Sequence, residues 1–149
     1  MSEENEEKKD FSETGGQILS FLSDGRFFAF EITAVTDIIE IPEITRIPRV
    51  PDFIRGVINL RGKVVPVIDF RKKLGFPDGI YDDRSCIIVL EIGSYQAGII
   101  CDRVSDVENI LPEQVAQSPV SGGTVKFFVT TAKKRISLLD PAVLVKGRT

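Results

Sequence analysis

The chain has 149 residues, a formal net charge of −3, 42% apolar residues, two cysteines and no histidine. That length suits one ordinary domain or two small lobes with a core of their own. Without histidine there is no Ser-His-Asp or Cys-His pairing, no His-ligated metal and no phosphohistidine relay; no run reaches the roughly 18 apolar residues of a membrane span, and no signal peptide is visible.

In chain order, residues 1–16 read as a disordered acidic tail. The first 17 residues hold six acids (Glu3, Glu4, Glu6, Glu7, Asp10, Glu13) against two lysines, with Phe11 the one large apolar side chain before Gly15-Gly16. Such a segment has too little to bury to offset its ordering entropy, so deleting residues 1–14 is expected to leave stability unchanged. The remainder carries 17 basic and 16 acidic residues, a net of +1, which gives no electrostatic reason to expect nucleic acid or an anionic membrane.

Most of the body reads as strands. "QILSFLS" and "RFFAFEI" flank Asp24-Gly25, a strong hairpin signal. Pro42, Pro48 and Pro51 then mark a rigid extended linker with exposed Ile and Val. "GVINLR" and "VVPVID" flank Gly62-Lys63 as a second hairpin, in which Pro66 predicts an edge strand or a bulge. "FRKKLG" reads as a short helix ending on glycine. "SCIIVLEI" and "YQAGIICD" flank Gly93-Ser94, and "KFFVTTA" and "RISLLD" flank Lys133-Lys134. "LDPAVLVK" places Pro141 at a helix start.

The chain also resembles itself. Val35-Thr36-Asp37-Ile38 falls on Val104-Ser105-Asp106-Val107 at an offset of 69, and "VVPVIDFRKKL" on "RISLLDPAVLV" at an offset of 71, with Asp69 over Asp140. Two matches in the same order indicate a pseudo-repeat, about 18–75 and 85–145. The expected fold is all-β: two small lobes of curled hairpins with a groove between them.

Few residues offer chemistry. Asp37 and Asp106 occupy equivalent positions; they are either a carboxylate pair for acid–base work or two side chains that cap a turn or pair with a base. Cys86 and Cys101 lie equidistant from the Gly93-Ser94 turn and would face each other across the hairpin. Their apolar flanks favour two reduced, interior residues over a disulfide or redox switch. "SGGT" at 121–124 is a loop and no phosphate cradle, because Val125-Lys126-Phe127-Phe128 after it reads as strand where a cradle needs a helix. The basic triplets Arg71-Lys72-Lys73 and Lys133-Lys134-Arg135 read as solvated surfaces. No nucleophile with a base, no metal cluster and no cofactor site emerges, so a binding protein is the better class.

"GVINLRGKVVPVIDFRKKLG" resembles the signature segment of the CheW-type chemotaxis coupling proteins, which are related to the regulatory domain of the kinase CheA. "ILSFLSDGRFFAFEITAVTDIIE", "ITRIPRVPDFIRG" and "AGIICDRVSDVENILPEQV" are similar to their family counterparts in the same order, so the likeness covers about residues 17 to 145. The resemblance implies a CheW-like domain over 17–147, made of two five-stranded SH3-like barrels that share a core and carry short helices. It implies a non-catalytic adaptor that takes no cofactor or metal. Such an adaptor binds the cytoplasmic tip of methyl-accepting chemoreceptors in the inter-lobe groove and the regulatory domain of a CheA-type histidine kinase on another face. It would be cytoplasmic, recruited to receptor arrays, without inserting in the membrane, and a monomer when isolated.

By the same likeness, Val35, Asp37, Ile38, Gly56, Arg61, Val104 and Val107 match positions of the receptor groove, and Ile41, Ile44 and Ile47 of the linker are candidates for kinase binding. Arg61 is expected at the edge of the core, partly buried and paired with Asp37. The segment 116–125 is shorter than is usual in the family. Other readings are a coupling protein for another motility or developmental system, a small β-barrel hydrolase using Asp37 and Asp106, and a nucleic-acid-binding barrel.

Overall fold

Paired left-handed residues at the turn tips set two of the hairpins. Asp24 and Gly25 take φ of 54° and 74°, and Arg61 and Gly62 take 52° and 83°, the type I′ geometry whose twist matches that of the flanking strands. The computed structural model describes residues 10–120 and 122–146. In chain order these form α1 (Phe11–Thr14), β1 (Gly16–Ser23), β2 (Arg26–Glu31), β3 (Val35–Glu40), β4 (Ile54–Leu60), β5 (Lys63–Asp69), α2 (Phe70–Leu74), β6 (Cys86–Ile92), β7 (Tyr95–Cys101), β8 (Arg103–Ile110), β9 (Val115–Gln117), β10 (Val125–Thr130), β11 (Arg135–Leu139) and α3 (Pro141–Val145).

The strands form two sheets, ordered β8-β1-β2-β11-β10-β9 and β3-β6-β7-β5-β4. Each sheet takes its central hairpin from one half of the chain and its remaining strands from the other. The registers correspond. Leu19 pairs with Val107 in the first sheet as Ile88 pairs with Ile38 in the second. Leu138 pairs with Ala29 as Val67 pairs with Gly98, both in parallel. Phe128 opposite Ala116 corresponds to Val57 opposite Thr45. Asp69 and Asp140 are the matched N-caps of α2 and α3. This exchange of hairpins binds the two lobes into one body.

The exchanged hairpins are buried on both faces, which explains their near-continuous apolar sequences. One face of each joins a cluster common to both sheets: Leu19, Phe21, Phe28 and Phe30 from the first, Ile88, Leu90, Ile99 and Cys101 from the second, with Phe70, Leu139 and Leu144. The opposite faces build separate lobe cores around Ile18, Ala29 and Leu138 and around Ile87, Val89 and Ile100. The Phe28 and Phe70 rings meet edge to face at 4.8 Å, a geometry favoured by their quadrupoles.

Four details differ from the sequence reading. The tail expectation splits: residues 1–9 lie outside the described residues, but Asp10 caps α1 and Phe11 is buried against the first lobe's core. The second turn is Arg61-Gly62, so β5 begins at Lys63. Strand β5 is internal, not an edge, and the bulge opposite it falls between Ile54 and Gly56. Pro66 is tolerated because the ladder from β5 to β7 starts only at Val67; before it the two strands part around a cleft of about 400 Å³ lined by Lys63, Pro66, Tyr95 and Gln96. The first sheet gains a sixth strand, β9, from the short segment after Gln114.

Candidate functional site

Arg61 occupies the first central position of its turn, with Gly62 N–H donating to Asn59 Oδ1 at 2.9 Å. From that tip its guanidinium makes a forked contact with Asp37, Nη1 to Oδ2 at 2.8 Å and Nη2 to Oδ1 at 3.1 Å. The two residues therefore tie the hairpin of outer strand β4 to β3, the other outer strand of that sheet. The hydrogen bond to Arg61 pulls the Asp37 carboxyl below its ordinary range, and Asp37 raises the guanidinium in return. Contrary to expectation Arg61 is not partly buried: its side chain is 69% exposed. Such a pair contributes little to stability and leaves the guanidinium open to a partner.

The other sheet carries a counterpart. Lys134, in the loop between β10 and β11, donates to Asp106 at 3.2 Å and to Glu108 at 2.9 Å, both on outer strand β8. Hydrogen bonds from Lys134 and Ser105 lower the Asp106 carboxyl. Burial pulls the Lys134 ammonium down, but its bonds to Glu108 and Asp106 outweigh that and raise it. Asp37 and Asp106 thus each pair with a base, on outer strands of different sheets. A general acid needs a raised carboxyl, so this geometry does not support the paired-Asp hydrolase. A nucleic-acid platform is equally poorly served, because Phe28, Phe30 and Phe127 are buried, although Phe128, whose strand pattern suggests core, is 41% exposed.

The remaining candidates differ in burial. Val35 and Val104 sit at matched positions and pack against the shared core. Ile38 and Val107 are also matched, and stand 47% and 54% exposed on β3 and β8. Gly56 belongs to neither group. It is buried at φ 148°, and a Cβ there would lie 2.1 Å from the Thr45 carbonyl oxygen. Its bareness lets the linker seat on β4 through paired bonds between Thr45 and Val57, 2.9 and 2.8 Å long. Ile41 and Ile44 of that linker pack on the second lobe's core, while Ile47 is exposed. Ile47 lines a cleft of about 780 Å³ with Arg46, Pro48, Val50, Arg55 and Lys72.

Two networks escaped the sequence reading. Arg71, whose basic triplet reads as a solvated surface, is largely buried and binds Asp102 through Nε at 3.1 Å and Nη2 at 2.6 Å, and Asp24 at 3.4 Å. It anchors α2 to the β1–β2 turn and to the corner after β7. Buried Asp69 accepts from Arg55 at 2.9 Å and from the Tyr81 hydroxyl at 2.8 Å; burial, then Asp69, pushes the Tyr81 phenol up. No spacing in the sequence signals these long-range partners. Among the described residues no cluster of Cys, Asp or Glu is placed to hold a metal, and no helix is long and apolar enough to cross a membrane.

Residues 17–148 match the family model described as the CheW-like domain. The chain is 38% identical over 123 residues to the chemotaxis protein CheW of Klebsiella aerogenes, an alignment covering 83% of this chain and 70% of that one. It is 34% identical over 129 residues to the chemotaxis protein CheW of Thermotoga maritima, covering 83% of each. Its fold is similar to the crystal structure of the scaffolding protein TtCheW from Thermoanaerobacter tengcongensis, with a TM-score of 0.80, 32% identity, and coverage of 85% of this chain and 90% of the other.

Proposed function

The chain belongs to the CheW-like family, and we propose that it is a non-catalytic chemotaxis adaptor that couples chemoreceptors to a CheA-type histidine kinase. The receptor's helical tip lies against Val35, Ile38, Val104 and Val107, with the Arg61–Asp37 pair at the margin of the same surface. The kinase regulatory domain binds the linker face around exposed Ile47, which Ile41 and Ile44 hold in place from below. The adaptor works in the cytoplasm, held at receptor arrays by these contacts.

The observation that carries the receptor assignment is the backbone at Arg61. A non-glycine residue at φ 52° occupies a conformation that L side chains disfavour by roughly 1–2 kcal/mol. Such strain points to a role for the side chain itself, and here that side chain is an exposed, oriented guanidinium suited to several acceptors at once.

Binding of the full chain to a soluble receptor fragment and to the kinase regulatory domain tests both halves of the proposal. The wild type is expected to bind each. Arg61→Gly relaxes the turn, so it should keep its melting temperature, lose about tenfold or more in receptor affinity, and hold kinase affinity. Failure of the wild type to bind either partner would refute the adaptor. Unchanged receptor affinity in Arg61→Gly would refute the site.

A further inference from the structure

The β6–β7 hairpin is bounded by two cysteines. Cys86 is the first residue of β6, Cys101 the last of β7, and they are direct cross-strand partners. Their sulfurs are 3.7 Å apart and both are free thiols. Cys101 is buried in the core shared by the two sheets, whereas Cys86 is only partly buried. Cys86 therefore departs from the wholly interior position that its sequence suggests. An open cleft of about 650 Å³ reaches it, lined by Arg84, Cys86, Arg103, Val104 and Ser105.

We propose that Cys86 and Cys101 form a reversible redox site, in which a small peroxide enters the cleft, oxidises Cys86, and Cys101 resolves it to an intrachain disulfide. The division of labour follows from the surroundings. The Cys101 sulfur, 3.7 Å away and within sulfur hydrogen-bond range, and then the Val104 backbone favour the Cys86 thiolate and hold that thiol below the usual range. Arg84 and Arg103 line the cleft that reaches Cys86, and Glu40 is its cross-strand partner on β3. A partly exposed thiol held below its usual range, beside an open cleft, is the setting of a reactive cysteine. The Cys101 thiol is pushed up by its bond to Cys86 and by burial, so it stays protonated and shielded.

The chemistry balances in two steps. The Cys86 thiolate attacks one peroxide oxygen and breaks the O–O bond; the other oxygen leaves as water or alcohol, and the sulfur becomes a sulfenic acid. The Cys101 sulfur then attacks the Cys86 sulfur and displaces hydroxide, which takes the Cys101 proton and leaves as water. Two thiols are oxidised by two electrons in total, and one peroxide is reduced. The backbone suits the product: directly opposed antiparallel residues hold their Cα atoms about 4.5–5.5 Å apart, inside the disulfide range of about 4.4–6.8 Å. A dithiol reductant reverses the reaction by exchange.

The test uses the native full chain with hydrogen peroxide near stoichiometric concentration. The wild type should lose the mass of two hydrogens, remain monomeric, protect both cysteines from alkylation, and recover both thiols with a dithiol reductant. Cys101→Ala should trap a sulfenic acid on Cys86 that reacts with a dimedone probe. Cys86→Ser should slow oxidation by about tenfold or more, since the remaining thiol is buried. Two free thiols after treatment of the wild type, a disulfide formed between chains, or undiminished oxidation in Cys86→Ser would each overturn the proposal. The wild-type measurement stands even if a variant fails to fold.

Discussion

Replacing Phe11 by alanine tests the docking of the N-terminal segment that α1 carries. Phe11 is 5% exposed and shares a cluster with Ile18, Ile110 and Val129; its ring centroid lies 6.4 Å from that of Phe127. Full burial of such a side chain contributes about 1.5–3 kcal/mol, and truncation in a rigid core costs about 3–5 kcal/mol because a cavity remains. The four-residue helix α1 can peel away and let the site fill with water. The transfer value therefore applies, at its upper end of about 2–3 kcal/mol. For a chain of this size about 1 kcal/mol corresponds to roughly 2–4 °C, so the melting temperature should fall by roughly 5–10 °C. Urea unfolding followed by circular dichroism should show a lower midpoint at nearly constant slope. Deleting residues 1–14 should cost at least as much, the reverse of what the tail's composition suggests. A Phe11→Ala midpoint within a degree of wild type would show that the ring is not docked in solution.

Gly56→Ala should destabilise by about 4 kcal/mol or more, since its Cβ would meet the Thr45 carbonyl and neither backbone can yield without unseating the linker. A loss under about 1 kcal/mol in chemical denaturation would show that the linker is not fixed there. Asp37 and Asp106 have carboxyls lowered by their cations. Their pairing therefore stabilises above the unfolded value of about 3.9 and is lost as pH falls through the lower folded value. Carboxyl NMR titration should place both below the ordinary range, with Asp37 returning to it in Arg61→Gly and Asp106 rising toward it in Lys134→Met, where the Ser105 bond remains. Titration of either at or above the ordinary range in the wild type would contradict the pairs.

The sequence by itself determined most of what depends on near neighbours. Asp24-Gly25 and Gly93-Ser94 reverse the chain where they stand, Gly75 ends α2, and Pro141 begins α3, because turn and cap chemistry is written within a few residues. The apolar runs of β1, β2, β6 and β7 announced burial, and the matches at offsets 69 and 71 gave the order of elements. The V-x-D segments and the N-L-R-G turn carried the family likeness, and with it the expected Arg61–Asp37 pair. Even the local reading slipped by one residue at Arg61, because arginine is seldom found at positive φ.

Only the tertiary structure decided what each element touches. A pseudo-repeat in sequence does not say whether its halves fold side by side or exchange hairpins; the exchange is settled by parallel pairings such as Leu138 with Ala29, between residues far apart in the chain. The same distance hid the burial of Arg71 by Asp102 and Asp24. It hid the reason for Gly56, which lies in the Thr45 carbonyl pressed against it, and the docking of Phe11 on a core assembled from strands of both halves. Composition assigned that phenylalanine to a disordered tail because it weighs a segment against water. The fold gave it Phe127, Ile110 and Ile18 instead, and burial against an existing core needs only one apolar side chain to hold a short segment in place.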